Sequence, residues 1–228
     1  HPRAFCAQQF GDDQAEEAMR ILNLYSKYNG RVTAEMLDRN TYNLETGEWK
    51  KVSDEYLKLE AEAMRQYLTL KSEYQDAYKQ IILFPVQAMA NIYEMYYSQA
   101  MNHKLFAENN PQANFWADNV ERTFKRDAEL EYDYNKVMAN GKWNGMMIQK
   151  KIGYTSWDDR FRANKLPEIF RIENPETAVG NYVFAPSNGY VSIEAEHYNT
   201  LKDAANAKWT VIPYMGRTQS GMAVMPYS

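Results

Sequence analysis

The residues best suited to binding a ligand lie in two segments that lack helical periodicity. The first, which we call the aromatic segment, is residues 141–157, and it contains Trp143, Asn144, Tyr154 and Trp157. Aromatic rings offer flat apolar faces on which sugar rings stack, and an amide hydrogen-bonds a hydroxyl. These four side chains are our predicted substrate-binding residues. The alternative interpretation is that both Trp seal the base of a helical domain.

The second segment runs from Val191 to Tyr198 and carries two carboxylates, Glu194 and Glu196, that alternate with Ile193 and Ala195. A period of two predicts a strand with both carboxylates on one face. One interpretation is a solvated strand face. The other is a structural calcium ion near Glu194 and Glu196, because hard cations prefer oxygen ligands.

Patterns typical of other catalytic or metal sites are scarce. The sequence has no Gly-rich phosphate loop, nucleophile elbow or paired-Cys motif. Its only histidines are His1, His103 and His197. Glu194 and His197 have a spacing that joins two metal ligands on a helix, but they lie in an alternating segment. We therefore predict no cofactor and no metal site apart from the calcium alternative, and we interpret Cys6 as a small buried hydrophobe.

Composition limits the class of partner. The formal net charge is −4, so a nucleic-acid surface, which needs excess Lys and Arg, is not expected. No run approaches the roughly 20 apolar residues of a membrane span. Aromatic residues make up 14% of the chain, with 18 Tyr, which suits packing between long helices as well as stacking on saccharides.

Helical periodicity dominates the first 140 residues. Apolar residues recur every three or four positions over about 13–27, 53–70, 72–106 and 111–137. Short loops between long helices favour antiparallel neighbours. The sequence therefore predicts a mainly α protein built on an antiparallel bundle of four or five helices.

Helix ends carry their own signals. Asp13, Ser53 and Ser72 are predicted caps at the starts of the first three helices. Gly30 is predicted to end the first helix in a left-handed conformation. Pro85 lies inside the third helical pattern, and a kink is expected there, near Phe84, because proline removes a backbone hydrogen bond.

Periodicity changes after the bundle. Residues 141–180 read as an aromatic-rich linker, and short strands are predicted beyond it, at Tyr182–Phe184, Tyr190–Glu194, Trp209–Ile212 and Met222–Val224. A few strands without closure do not make a stable β-domain. The predicted β-sheet region is therefore short and incomplete.

Four stretches of the chain carry a resemblance to a known family. They are Gln9-Phe10-Gly11 with Tyr25 to Gly30, Leu83 to Val86 with Ala90-Asn91, Gly141 to Trp157, and Tyr190 to Tyr198 with Gly216-Arg217-Thr218 and Ser220-Gly221. Taken together, and in this order over nearly the whole chain, they resemble glycoside hydrolase family 115, the xylan α-1,2-glucuronidases.

The resemblance implies a domain organisation and a function. Residues 1–11 would be the tail of a catalytic barrel, 12–140 a helical bundle, 141–180 a linker and 181–228 the start of a jelly-roll-like β-sandwich. The catalytic carboxylates would lie upstream in the barrel, so no catalytic residue is predicted here and the chain alone is expected to be inactive. The parent enzyme would act on glucuronoxylan, a plant polysaccharide, in a bacterial periplasm or outside the cell.

Two positions depart from the family pattern as we know it. Lys150-Lys151 stand where Thr-His usually precedes Ile-Gly-Tyr-Thr, and Gly145 stands where a His often follows Trp-Asn. Both departures bear on the parent's substrate preference and activity.

Three alternative interpretations stand beside the resemblance. In these the chain would be a stand-alone carbohydrate-binding module, a structural scaffold without sugar contacts, or a helical sensor of small molecules. In the leading interpretation the Tyr- and Met-rich helical faces also form a homodimer interface.

Overall fold

The computed structural model describes residues 1–155, 162–173, 198, 201–212 and 221–226 of the 228-residue chain. Over these residues the protein is mainly helical and ends in a short two-stranded antiparallel sheet, which confirms the predicted fold class. The helices are α1 Pro2–Phe10, α2 Ala15–Asn29, α3 Glu48–Thr69, α4 Ser72–Tyr78, α5 Phe84–Ala107 and α6 Ala113–Tyr132.

Helices α5 and α6 pack side by side in opposite directions. At the start of α5, the Phe84 ring lies 4.5 Å from the ring of Tyr134, just beyond the end of α6. Near the end of α5, the Asn102 amide donates to the carbonyl of Ala113, the first residue of α6, at 2.7 Å. The short connection between the two helices makes this antiparallel packing the simplest arrangement.

The hydrophobic core has two adjoining parts. One lies between α3, α5 and α6, and the other joins α1 and α2 to α3, α4 and the start of α5. Cys6 is fully buried in the second part, as its interpretation as a small hydrophobe requires. The largest fully buried side chains are Phe10, Ile21, Trp49, Tyr56, Leu59, Tyr78, Ile82, Leu83, Ile92, Tyr93, Met95 and Ile152.

The predicted start of α3 at Ser53 is wrong. The helix begins at Glu48, after Gly47 in a left-handed conformation (φ 76°), and Ser53 is buried inside it. The reason is Trp49, which is fully buried and donates its indole N–H to the Arg39 carbonyl at 2.9 Å. Burying this ring requires the first helical turn that the sequence pattern did not mark.

Other predicted caps also differ. Gly30 keeps right-handed angles (φ −71°, ψ −6°), because its N–H continues the helical pattern to the Ser26 carbonyl at 3.2 Å. Neither α2 nor α4 has a side-chain cap, so Asp13 and Ser72 do not act as predicted.

The irregularity expected at Pro85 takes the form of a π-helical turn. Helix α4 continues through Lys79–Leu83, a π-helix, directly into α5, where Pro85 is the second residue. Phe84 keeps helical angles (φ −61°, ψ −49°). Proline has no N–H to donate to the carbonyl four residues back. The π-helical turn, which is wider than an α-helical one, lies in the residues just before Pro85.

The C-terminal strands are β1 Lys208–Ile212 and β2 Gly221–Met225, paired so that Trp209 lies opposite Val224. They contain two of the predicted strands. The other two, Tyr182–Phe184 and Tyr190–Glu194, lie outside the described residues. Among the helices that the structure describes, none is both long and apolar enough to span a membrane.

Residues 166–172, which we call the strap, lie along α5 and α6 without helix or strand. Alternate strap residues bond through their backbones to helix side chains, so the strap follows a period of two. The pairs are Glu168 with Gln99 and His103, Phe170 with Asn102, and Ile172 with Asn114.

Candidate functional site

A tight reversal leads into the aromatic segment, just beyond the π-helix Asp133–Val137 that follows α6. Ala139, Asn140 and Gly141 all have positive φ (48°, 54° and 75°). A Cβ on Gly141 would lie 3.2 Å from the Lys136 carbonyl oxygen, so the turn favours glycine there. Such a backbone persists only where surrounding contacts hold it.

One buried amide, that of Asn135, provides those contacts. Its Oδ1 accepts the N–H groups of Gly145 (3.0 Å) and Met147 (3.1 Å). Its Nδ2 donates to the carbonyls of Met147 (2.6 Å) and Glu131 (2.8 Å). Asn135 is 5% exposed, so a single side chain closes the loop that carries Trp143 and Asn144.

A second clamp centres on the buried carboxylate of Asp127. Its Oδ2 accepts Lys151 Nζ at 2.9 Å and Asn164 Nδ2 at 3.1 Å. Asn164 in turn accepts the backbone N–H groups of Lys151 (2.9 Å) and Ile152 (3.2 Å) through its Oδ1. The charge of Asp127, whose side chain is 3% exposed, is thus compensated by an ion pair and a hydrogen bond.

The two lysines that depart from the family pattern are therefore structural contacts in this chain. Lys151 pairs with Asp127, and Lys150 pairs with Glu131 at 3.1 Å. Both pairs tie the aromatic segment to the last turns of α6.

Three neighbouring cavities follow the aromatic segment. The first, about 490 Å³, is lined by Asn144 and Tyr132 and shares Asp127 and Glu131 with the second. The second, about 270 Å³, has apolar walls and shares Glu35 with the third. The third, about 490 Å³, is lined by Tyr154, Tyr96 and Gln99.

The predicted substrate-binding residues are distributed along this row. Asn144 is exposed in the first cavity, and Tyr154 is half-buried in the third, so the structure does not bring them to one point. Trp143 is half-buried, lines none of the three cavities, and has Lys142 Nζ 4.8 Å from its ring centre. Trp157 lies outside the described residues.

The third cavity has a polar contact on its buried side. The Tyr96 hydroxyl accepts the Gly153 N–H at 3.3 Å. Burial raises the pKa of the Tyr96 phenol, and the Gly153 hydrogen bond offsets part of that shift. The Tyr96 hydroxyl therefore keeps its proton while its oxygen accepts the Gly153 N–H.

Metal binding has no candidate within the described part of the chain, where no three His, Cys, Asp or Glu side chains converge. Glu194 and Glu196, the predicted calcium ligands, lie outside that part.

Sequence reasoning missed Asn135, Asp127 and Asn164, which hold the segment in place. Asn135 and Asp127 fall within the helical pattern of α6 and its end, where a polar residue usually faces solvent. Only the tertiary contacts distinguish them.

One comparison with protein families gives a match at the C-terminal end of the chain. A model described as the glycosyl hydrolase family 115 C-terminal domain matches residues 183–228, about a fifth of the chain. The match confirms the resemblance to the C-terminal region of that family. A comparison with curated proteins gave no match.

Proposed function

We propose, from the match of residues 183–228 to the C-terminal domain of glycosyl hydrolase family 115, that this chain is a non-catalytic part of a glycoside hydrolase. The longer enzyme, called the parent, would release α-linked glucuronic acid, or its 4-O-methyl ether, from glucuronoxylan. The family match supports the proposal, in which the reacting carboxylates would lie outside this chain.

The aromatic segment would border the substrate cleft of the parent. Trp143, Tyr154 and Trp157 would stack on sugar rings while Asn144 bonds a hydroxyl. The clamps at Asn135 and Asp127 support this role, because binding groups must be held in place before the ligand arrives. Asn135 fixes the loop at Gly145 and Met147, and Asp127 fixes the later part of the segment through Lys151 and Asn164.

The bundle would buttress the catalytic barrel at the same end. Tyr132, Met146 and Ile148 are 63%, 62% and 61% exposed. Large apolar side chains grouped near one turn favour a contact with another protein surface. This observation also supports the second candidate, a structural interaction module without sugar contacts.

The proposal extends to assembly and compartment. The parent would be a homodimer, and light scattering after size-exclusion chromatography measures that directly. It would work in the bacterial periplasm or outside the cell, an assignment supported by the family resemblance alone. A calcium ion near Glu194 and Glu196 stays an option for the β-region.

The experiment that tests the segment's role uses the parent enzyme with Trp143→Ala and Tyr154→Ala combined. We expect KM for glucuronoxylan to rise about thirtyfold, because each of the two lost stacking contacts weakens binding by about 1 kcal/mol. The matched control is Phe115→Ala, which removes a half-buried aromatic ring on α6, outside the aromatic segment. An unchanged KM in the double variant would refute the substrate-facing role and favour the structural module.

A further inference from the structure

The second cavity, about 270 Å³, lies between α2, α5, α6 and the aromatic segment, and most of its wall is apolar. None of the predicted substrate-binding residues that the structure describes lines it. It is therefore separate from the predicted sugar contacts. The apolar residues of the wall include Tyr25, Phe84, Ala88, Met89, Ile92 and Met147.

This wall disfavours a sugar and favours an aromatic ring. A sugar carries a hydroxyl on nearly every ring carbon, and a hydroxyl buried without a partner costs free energy. Met89 and Met147 instead offer thioethers, which make favourable contacts with aromatic rings, and Phe84 adds a ring for edge-to-face packing. A cavity of about 150 Å³ is enough for benzene, so this one has room for a ring and a short chain.

Four charged side chains also line the cavity, and three of them are paired. The Asp127 carboxylate pairs with Lys151 at 2.9 Å, and the Glu131 carboxylate pairs with Lys150 at 3.1 Å. Within the described part of the chain, the half-buried Glu35 makes no ion pair and accepts no hydrogen bond. One negative charge at the cavity is therefore left without a partner.

The surroundings of Glu35 do not compensate its charge. Glu35 also lines the third cavity, where one basic side chain, Lys165, stands against two further carboxylates, Asp38 and Glu168. The local charge around Glu35 thus stays negative. A partly buried carboxylate in such surroundings attracts a cationic group.

The cavity is formed before any ligand binds. Asn135 holds Met147 by both its N–H (3.1 Å) and its carbonyl (2.6 Å), and Asp127 holds Lys151. Fixed walls lower the entropic cost of binding. Met147 and Gln149 are exposed, so the cavity is accessible from solvent beside them.

We propose that this cavity binds a small aromatic amine, that is, an aryl ring joined by a short chain to a protonated amino group. The ring packs against Phe84 and Met89, and the ammonium group pairs with Glu35. The proposal rests on the lining of this cavity and is independent of the proposed function.

The test is calorimetric titration of the full 228-residue chain at pH 7 with 2-phenylethylamine, 2-phenylethanol and n-butylamine. The alcohol keeps the ring and lacks the charge, whereas n-butylamine keeps the charge and lacks the ring. We expect 2-phenylethylamine to bind about tenfold more tightly than either of the others, or better.

Two variants with matched controls locate the site. Glu35→Gln should weaken 2-phenylethylamine binding about tenfold, and Glu73→Gln, the same charge change at an exposed position on α4, should leave the Kd unchanged. Ala88→Leu, which fills the cavity from α5, should abolish binding, and Ala61→Leu at an exposed position on α3 should not. Circular dichroism checks that each variant keeps its helices.

Any of five outcomes would overturn the proposal. Equal Kd values for 2-phenylethylamine and 2-phenylethanol would show that the charge is not recognised, and equal values for n-butylamine would show that the ring is not. Equal losses in Glu35→Gln and Glu73→Gln would reduce the effect to overall charge. Unchanged binding in a folded Ala88→Leu variant would place the ligand elsewhere. The fifth is the absence of saturable binding up to about 10 mM. Because the titration measures binding alone, none of these outcomes bears on the activity of the parent.

Discussion

The aromatic segment and the strap are two irregular regions that lie against the same helices but are held in different ways. The segment depends on two buried side chains, Asn135 and Asp127, each of which makes several contacts. The strap depends on a series of amides spaced along α5 and α6, each of which holds one residue.

This difference has a consequence for stability and for function. When one side chain makes all the hydrogen bonds that hold a loop, replacing that side chain removes all of them at once. When several side chains each bond to the backbone of a different residue, as in the strap, replacing one of them releases one residue only. If the aromatic segment binds substrate as proposed, its fixed geometry would hold the binding groups in place.

The largest expected effect is at Asp127. Lys151→Met leaves a buried carboxylate without its cation, and we expect the free energy of unfolding to fall by about 3–5 kcal/mol, measured by urea denaturation. Lys125→Met, which breaks an exposed pair with Glu129, is the control and should cost less than about 0.5 kcal/mol. Similar losses in both variants would contradict the central role of Asp127.

Asn135→Ala should have the next largest effect. It removes four hydrogen bonds, and we expect a loss of about 3 kcal/mol together with faster hydrogen exchange at Gly145 and Met147. Asn23→Ala, an exposed position on α2, should change stability by less than about 0.5 kcal/mol. Unchanged exchange in Asn135→Ala would show that other contacts hold the loop.

The strap should respond less. Asn102→Ala removes two bonds to Phe170 and leaves the Ala113 carbonyl without this donor, so we expect a loss of about 2 kcal/mol. Hydrogen exchange should accelerate at Phe170 and stay slow at Ile172, which Asn114 holds. Equally accelerated exchange at Phe170 and Ile172 would show that the strap detaches as a unit. That result would contradict the view that its contacts are lost one residue at a time.

The smallest effect concerns pH. Burial raises the pKa of Tyr97 to about 12 in the folded protein, from about 10 when unfolded. The neutral phenol therefore contributes stability that is complete below about pH 10 and is lost as pH rises toward 12. Urea denaturation at pH 9 and pH 11 should show a smaller decline for Tyr97→Phe than for the wild type. Identical declines would show that Tyr97 titrates normally.

The sequence predicted the helical bundle because apolar spacing of three or four residues is visible without tertiary information. It placed the start of α3 too late, because Trp49 is buried by contacts with the loop before the helix rather than by a capping motif. Pro85 predicted a kink near Phe84, and the structure has a π-helix over Lys79–Leu83, just before it, with helical angles at Phe84.

The candidate site was predicted only in part. Aromatic and amide residues in aperiodic sequence pointed to the segment, which carries Asn144 and Tyr154 past separate cavities. Its supports could not be predicted, because Asn135 and Asp127 look like ordinary polar helix residues. In the sequence, Lys150 and Lys151 stand out only as departures from the family pattern. Their ion pairs with Glu131 and Asp127 are visible only in the folded structure.

The most direct test of the central claim compares this chain with its parent on glucuronoxylan and follows released glucuronic acid. We predict release by the parent and none by the chain alone, because the reacting carboxylates would lie in the barrel of the parent. Release by the chain alone would contradict the account and would place the catalytic carboxylates within these 228 residues.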